Sequence, residues 1–319
     1  PKKSREPRVL PLYTSTTFDY EHGEDMAHVF DNAADAPLSS RLSTPTIAGF
    51  EPKKAPLGGG VGAIACSSGL AAETTAILTV AGAGDNIVSA GTIYGGTYNL
   101  FNVTLRKIGI DTRFFDPDAS EEDIEKLIDG KTRVIYAETI ANPAMTVIDI
   151  DKLAKIAQKH KVLFMLDNTL TTPYILRPKK YGADVIIHSS TKYLDGHASC
   201  VGGVIVDCGQ FDFLGNERYP DFNVPDESYH GVTYAKDCGS LAFIFKARAQ
   251  MMRDLGTCIS PFNAYLTNLG SETLHLRMER HSENALAVAE FLTGHKNAEW
   301  VKEPGLKSDK YHDVAGKNL

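Results

Sequence analysis

The stretch Ala183-Asp-Val-Ile-Ile-His-Ser-Ser-Thr-Lys-Tyr-Leu-Asp-Gly-His197 carries the reading of this chain. Val185-Ile186-Ile187 is a short run of β-branched apolar residues, the pattern of a strand buried on both faces. It ends in hydroxyls, Ser189, Ser190 and Thr191, and then in Lys192. A lysine directly after a buried strand has two readings. In one it snorkels its ammonium to water at the strand end. In the other it is desolvated enough to shed its proton and form a Schiff base. The neighbouring segments must decide.

Upstream the pattern is regular. Gly62-Ala-Ile-Ala-Cys66 reads as a strand, Ser67-Ser-Gly69 as a turn and Leu70 to about Val80 as an apolar helix. Further strands are expected at 86–89, 112–115, 133–137 and 162–166, and beyond the lysine at 203–206. One helix should run from Tyr94-Gly-Gly-Thr97 to near Ile108, and another from Asp118 to Ile128, where Ser120 and Asp123 stand at capping-box spacing. A third, Asp149 to His160, puts Ile150, Leu153, Ile156 and Ala157 on one face. Strands alternating with helices over this length specify an α/β fold, a mostly parallel sheet covered on both faces.

The flanks are less regular. Residues 1–45 show little periodicity and several prolines, which suggests an arm. Between 46 and 57, Pro52 and Pro56 each remove an amide donor, so a helix there is expected to be broken. A loop rich in Pro, Asn and Asp fills 207–232, and at that length it is expected to be functional or an interface element. Residues 234–293 read as helical nearly throughout, and Ala298-Glu-Trp-Val301 as the start of a strand. One incipient strand cannot form a domain. The expected organisation is an arm over 1–45, an α/β domain over 46–235, and over 236–319 connecting helices with the start of an incomplete, truncated C-terminal domain.

With 319 residues the chain is long enough for more than one domain. A formal charge of −7, with no basic run interleaved with aromatics, argues against a nucleic-acid surface. No apolar stretch reaches the roughly 20 residues of a membrane span, and the charged start Pro-Lys-Lys-Ser-Arg-Glu-Pro-Arg8 has no signal-peptide core. Five scattered cysteines, Cys66, Cys200, Cys208, Cys238 and Cys258, without a Cys-x-x-Cys pair, favour reduced thiols and a cytoplasmic setting. His188 and His197 bracket Lys192 without a partner at ligand spacing, so no metal is expected. Cys66 reads as a small buried residue. Arg277 and Arg280 read as a solvated or interface face of a long helix.

In an open parallel sheet, ligands bind beyond the carboxyl ends of the strands. Ser67-Ser-Gly-Leu70 offers free amides at a helix N-terminus, an anion site. Such a turn alone is more often structural, but the hydroxyls of Ser189 and Thr191 can meet the same anion. No Gly-Lys-Ser/Thr follows Gly58–Gly62, and the glycines lack dinucleotide spacing. Asp167 reads either as a cap of the next element or as a carboxylate held for a cation. Pyridoxal phosphate needs a lysine for its aldehyde, a carboxylate for its ring nitrogen, an anion site and an aromatic face, which Tyr94 can supply. Four such needs met on one sheet edge favour the reactive Lys192.

These segments resemble the Cys/Met-metabolism family of pyridoxal-phosphate enzymes. The likeness runs from about Leu10 to the last residue. It is carried by Pro11-Leu-Tyr, Arg41-Leu-Ser-Thr-Pro-Thr46, Ser68-Gly-Leu-Ala-Ala, Tyr94-Gly-Gly-Thr-Tyr-Asn-Leu-Phe, Glu138-Thr-Ile-Ala-Asn-Pro143, Asp167-Asn-Thr and His188-Ser-Ser-Thr-Lys-Tyr. The loop from Phe211 to Tyr229-His-Gly, Leu255-Gly-Thr-Cys-Ile-Ser-Pro-Phe-Asn-Ala and Leu276-Arg-Met-Glu-Arg-His-Ser-Glu-Asn-Ala look like its O-acetylhomoserine sulfhydrylase branch.

The resemblance implies the aspartate-aminotransferase-like fold (fold type I), with a mostly parallel seven-stranded sheet and flanking helices, and pyridoxal 5′-phosphate as cofactor. It implies that Lys192 binds the cofactor and shuttles protons, that Asp167 partners the ring nitrogen, that Tyr94 stacks on the ring and that Asn142 reaches its phenolic oxygen. The Gly69 and Leu70 amides and the Ser189 and Thr191 hydroxyls would bind the phosphate, joined by Arg41 from a neighbouring subunit. A homodimer or homotetramer with the site at the interface follows. The implied reaction is γ-replacement, O-acetylhomoserine plus sulfide or a thiol giving homocysteine and acetate. A cystathionine γ-synthase, a methionine or cystathionine γ-lyase, and a non-catalytic paralogue acting as a scaffold are the alternatives. The chain departs from the family pattern at Ser39, where tyrosine is usual, and at Leu70, where methionine is usual.

Overall fold

A computed structural model describes residues 7–30 and 39–319; residues 1–6 and 31–38 of the expected arm lie outside the described residues. Seven strands form one sheet: β1 (Gly62–Cys66), β2 (Asn86–Ala90), β3 (Asp111–Phe115), β4 (Thr132–Glu138), β5 (Leu163–Asp167), β6 (Val185–His188) and β7 (Gly203–Asp207). Their spatial order is β1-β7-β6-β5-β4-β2-β3. Neighbours from β6 to β3 are parallel, whereas β7 runs antiparallel to both β6 and β1. Every strand of β2, β4, β5, β6 and β7 is buried along its length, as apolar runs covered on both faces must be. The reversal of β7 was not anticipated. Only residues 189–202 join β6 to β7, in turns, with no helix to make a parallel crossover.

The helices follow their patterns with shifted ends. Ile150–His160 buries Ile150, Leu153, Ile156 and Ala157 behind an Asp149 cap. The helix expected over 118–128 contracts to Glu121–Glu125. The arm contains a helix of its own, Gly23–Phe30, and its earlier part is pinned where Thr46 Oγ1 accepts from Tyr13 N and donates to the Pro11 carbonyl, both at 2.8 Å.

Two expectations fail for physical reasons. Pro45–Gly58 is one continuous helix despite Pro52 and Pro56. Thr44 caps it, accepting from Ile47 N at 3.1 Å, and Pro45 stands in the first turn, where a missing amide costs nothing. An interior proline costs roughly 3 kcal/mol, but full burial of Ile47 and Phe50 contributes about 1.5–3 kcal/mol each. Buried Glu51 adds an ion pair to Arg248 at 2.6 Å and accepts Ala65 N at 2.8 Å. Packing outweighs propensity here. Residues 298–301 form no strand, and no adjacent strand is there to pair with them among the described residues.

The 207–232 loop contributes no residue to the cavity at the carboxyl ends of the strands. Phe211, Phe213, Tyr219 and Phe222 pack their rings together. From that cluster Tyr219 Oη accepts from Leu163 N at 2.8 Å and donates to the Arg133 carbonyl at 2.5 Å. Arg218 donates to the carbonyls of Asp129, Thr132 and His160. The loop therefore clamps the amino ends of β4 and β5. Tyr219→Phe strips two buried backbone groups of their partner, and urea unfolding should show a loss of about 1–3 kcal/mol with ligand binding at the opposite edge unchanged.

Candidate active site

The carboxyl ends of the parallel strands converge on a cavity of about 670 Å³. Of the nine residues expected at the site, eight line it, and Arg41 does not. Arg41 is exposed, and the Leu42 carbonyl beside it accepts from Arg248 Nη1 at 2.6 Å.

At one end of the cavity lies the turn between β1 and the helix Gly69–Val80. Ser68 caps that helix, accepting from Ala71 N at 3.0 Å, which leaves the amides of Gly69 and Leu70 at its positive end. Close approach defines this corner. A Cβ at Gly203 would lie 2.0 Å from the Ser68 carbonyl, and one at Gly69 would lie 2.7 Å from Ser189 Cβ. Only glycine at both positions lets the turn meet β7 and the hydroxyl segment after β6. Ser189 is set by its amide, which donates to Thr169 Oγ1 at 2.8 Å. The Thr191 hydroxyl accepts from Gly202 N at 3.0 Å and donates to the Gly202 carbonyl at 3.1 Å.

Lys192 projects from the same segment. Its carbonyl accepts from Gly196 N at 2.8 Å, and the turn is tightened by buried Asp195, which gathers Ser199 N, Ser199 Oγ and His197 N. The desolvation expected of Lys192 does not occur in the single chain. Three residues separate it from the buried end of β6 and carry it to the open side of the cavity, where it is exposed. Arg277 also corrects its expected role. Its guanidinium donates to the carbonyls of Tyr193 and Gly270, each at 2.8 Å, so it braces the lysine turn rather than facing solvent.

Asp167 ends β5, is buried, and accepts Thr169 N at 2.7 Å. Its register partner across the ladder is Glu138, at the end of β4. Parallel neighbours stand about 4.8 Å apart, so these two carboxylates share one face at close range. Glu138 accepts the backbone amides of Tyr94, at 2.7 Å, and of Asn142, and thereby fixes both of those site residues. A third carboxylate, Glu73, enters from the helix Gly69–Val80 and accepts Thr97 Oγ1 at 3.0 Å. Sequence reasoning assigned no role to Glu138 or Glu73. The available signal was one carboxylate in the otherwise uncharged run Gly-Leu-Ala-Ala-Glu-Thr-Thr-Ala-Ile-Leu-Thr-Val80. Burial, with mutual repulsion, pushes Glu138 up to about 8 and Glu73 upward, and burial lifts Asp167 to about 6. The charged neighbours that raise Glu73 and Glu138 are carboxylates, Asp167 foremost.

Three buried carboxyls, a helix N-terminus with free amides, an exposed tyrosine ring and a lysine around one cavity suit a protonated pyridine bearing a phosphate and an aldehyde. Pyridoxal phosphate fits the residues present. His188, by contrast, is buried and held neutral, its imidazole pushed down to about 4 by desolvation. Among the described residues no group of three or more His, Cys, Asp or Glu is placed to hold a metal ion, and no helix is long and apolar enough to cross a membrane. Cys66 is buried and its thiol is pushed well up by desolvation.

What this sheet edge is shaped to hold defines the class, the pyridoxal-phosphate-dependent enzymes. Within it the chain belongs to the Cys/Met metabolism PLP-dependent enzyme family, whose model matches residues 1–319. The O-acetyl-L-homoserine sulfhydrylase of Leptospira meyeri is 43% identical over 325 residues, spanning 99% of this chain and 73% of the relative. The homocysteine/cysteine synthase of Saccharomyces cerevisiae is 42% identical, spanning 98% of this chain and 70% of its own length. A Campylobacter jejuni crystal structure containing N′-pyridoxyl-lysine-5′-monophosphate superposes with a TM-score of 0.94 at 37% identity, covering 98% of this chain and 77% of that one.

The carboxylates give a signed pH prediction. Asp167 and Glu138 have folded pKa values above those of the unfolded chain, so their contribution to stability is whole at acid pH and is lost as pH rises through about 6 and about 8. Melting temperatures of the cofactor-free protein should fall between about pH 5 and about pH 9, and Asp167→Asn should abolish the lower step.

Proposed function

We propose that the chain catalyses γ-replacement: O-acetylhomoserine and sulfide react to give homocysteine and acetate. The observation carrying this reading is Lys192 on the open side of a cavity built for pyridoxal phosphate, in a chain 43% identical to a protein named O-acetyl-L-homoserine sulfhydrylase.

In this reading Asp167 faces the ring nitrogen, Tyr94 covers one ring face and Asn142 reaches the phenolic oxygen. The Gly69 and Leu70 amides, with Ser189 and Thr191, hold the phosphate. Arg41, outside its own cavity, completes the phosphate site of a neighbouring copy in a homodimer or homotetramer. When bound, the cofactor supplies an electron sink for charge developing on the substrate carbons. Lys192 would hold the cofactor through its side-chain amine, which is free for proton work once the substrate amine is bound. The freed amine then takes the α-proton, and a β-proton is lost as the γ-acetate departs. Hydrosulfide adds at the γ-carbon, and protons are returned first to the β-carbon and then, by Lys192, to the α-carbon. Exposure of Lys192 toward the open side lets one amine reach successive carbons, while the Asp195 and Arg277 contacts keep its backbone still. Glu138 contributes by fixing Tyr94 and Asn142 through their amides. The unpaired state of Cys66, Cys200, Cys208, Cys238 and Cys258 supports a reducing, cytoplasmic setting.

Purified protein supplied with pyridoxal phosphate, O-acetylhomoserine and sulfide should form homocysteine and acetate in equal amounts. Formation of only ketobutyrate and ammonia would replace this reading with elimination. Borohydride reduction should fix the cofactor to the peptide containing Lys192, and Lys192→Ala should lower kcat by roughly 10²–10⁴-fold or more.

A further inference from the structure

Glu73 takes no part in the reaction described above, yet its side chain is built into the cofactor cavity. It stands one turn behind the phosphate-facing amides of Gly69 and Leu70, is 3% exposed, and lines the cavity wall. One carboxyl oxygen accepts from Thr97 Oγ1 at 3.0 Å. The other is buried without a hydrogen-bond partner. A buried, half-paired carboxylate is costly unless it is protonated or receives a cation.

The groups around it show which. Asp167 and Glu138 face it from the ends of β5 and β4, and Tyr136 of β4 and Thr97 approach from the sides. Lys192 and His281 line the same cavity from the lysine turn and from the helix Leu274–Thr293. Asp167 is the charged group that acts most strongly on Glu73, and the two side chains line one cavity. Two adjacent carboxyls without a cation share a proton.

We propose that Glu73 is a positioning residue for the cofactor: it keeps its proton, turns its unpaired oxygen to donate that proton to Asp167 when the cofactor binds, and so presents the ring nitrogen with a single, oriented negative charge. The consequence is directional. A carboxylate that already receives a hydrogen bond is a weaker base, so Asp167 competes less for the proton on the ring nitrogen. That proton then stays on the ring, where it is needed for the electron sink. A glutamine can still donate to Asp167, whereas a leucine cannot.

The test uses the full chain and pyridoxal phosphate alone. Glu73→Gln should bind the cofactor within about threefold of the unaltered protein, with an overlapping profile of cofactor absorbance against pH. Glu73→Leu should bind it roughly tenfold more weakly, the loss expected for a hydrogen bond to a charged group, and should shift that profile toward lower pH. In an Asp167→Asn background, Glu73→Leu should change neither readout further. Thr97→Val, which leaves Glu73 in place but releases one oxygen, should shift the profile in the same direction and serves if the leucine variant does not fold. Unshifted profiles in both the leucine and valine variants would overturn the proposal, as would a glutamine variant as impaired as the leucine one, or additive losses with Asp167→Asn. The proposal rests on cofactor binding and not on the choice of substrate. A protein that makes no homocysteine leaves it standing, whereas one that takes up no pyridoxal phosphate overturns it together with the cofactor assignment.

Discussion

The approach of the Ser68 carbonyl to Gly203 is the constraint on which the site depends. It is possible because β7 runs backwards between β1 and β6 and begins with a residue that has no side chain. The start of β7 thus lies at the same edge as the ends of β1 and β6. That brings the helix N-terminus after β1 within contact of the hydroxyl segment after β6, although about 120 residues separate them. An anion bound there is met from two directions, by backbone dipoles on one side and by hydroxyls on the other. The lysine that follows is thereby set at a fixed reach from that turn.

At the opposite wall the chemistry inverts. Glu138 and Asp167 are ladder partners, and Glu73 comes from the same helix that supplies the anion site. One rigid helix therefore carries both the free amides of Gly69 and Leu70 and the carboxyl of Glu73, which fixes the span of any ligand that must satisfy both. Three buried carboxyls are a burden on the cofactor-free fold, since each prefers to be neutral there. A cationic ring relieves that burden, so ligand binding and stability are linked through the same groups. Local rules broken in one place and compensated by a ligand are characteristic of functional sites.

Much of this was legible in the sequence. Period and strand-end chemistry located all seven strands, the anion turn, Asp167 and Lys192, because buried apolar runs ending in polar residues have few other meanings in an α/β chain. What escaped depended on partners distant in sequence. Pro52 and Pro56 signal a break locally, and only the packing of Ile47 and Phe50 and the Glu51–Arg248 pair override it. Arg277 looks like a surface residue until Tyr193 and Gly270 are placed beside it. Lys192 follows a buried strand, yet three turn residues are enough to carry it into the open. The direction of β7 was present in the sequence as a missing crossover helix between 188 and 203. Glu73 was visible as a lone charge in an apolar helix but gained meaning only beside Asp167.

The clamp formed by Arg218 and Tyr219 has a consequence for how such a chain can change over time. It gathers the backbone of β4 and β5 at their amino ends, while the eight expected site residues that line the cavity lie at the opposite edge of the sheet. The two edges are a sheet's length apart and share no side chains. Variation at one edge can therefore explore new substrates without loosening the scaffold, and variation at the other can tune endurance to temperature without altering chemistry. The sheet acts as an insulator between two separately adjustable surfaces.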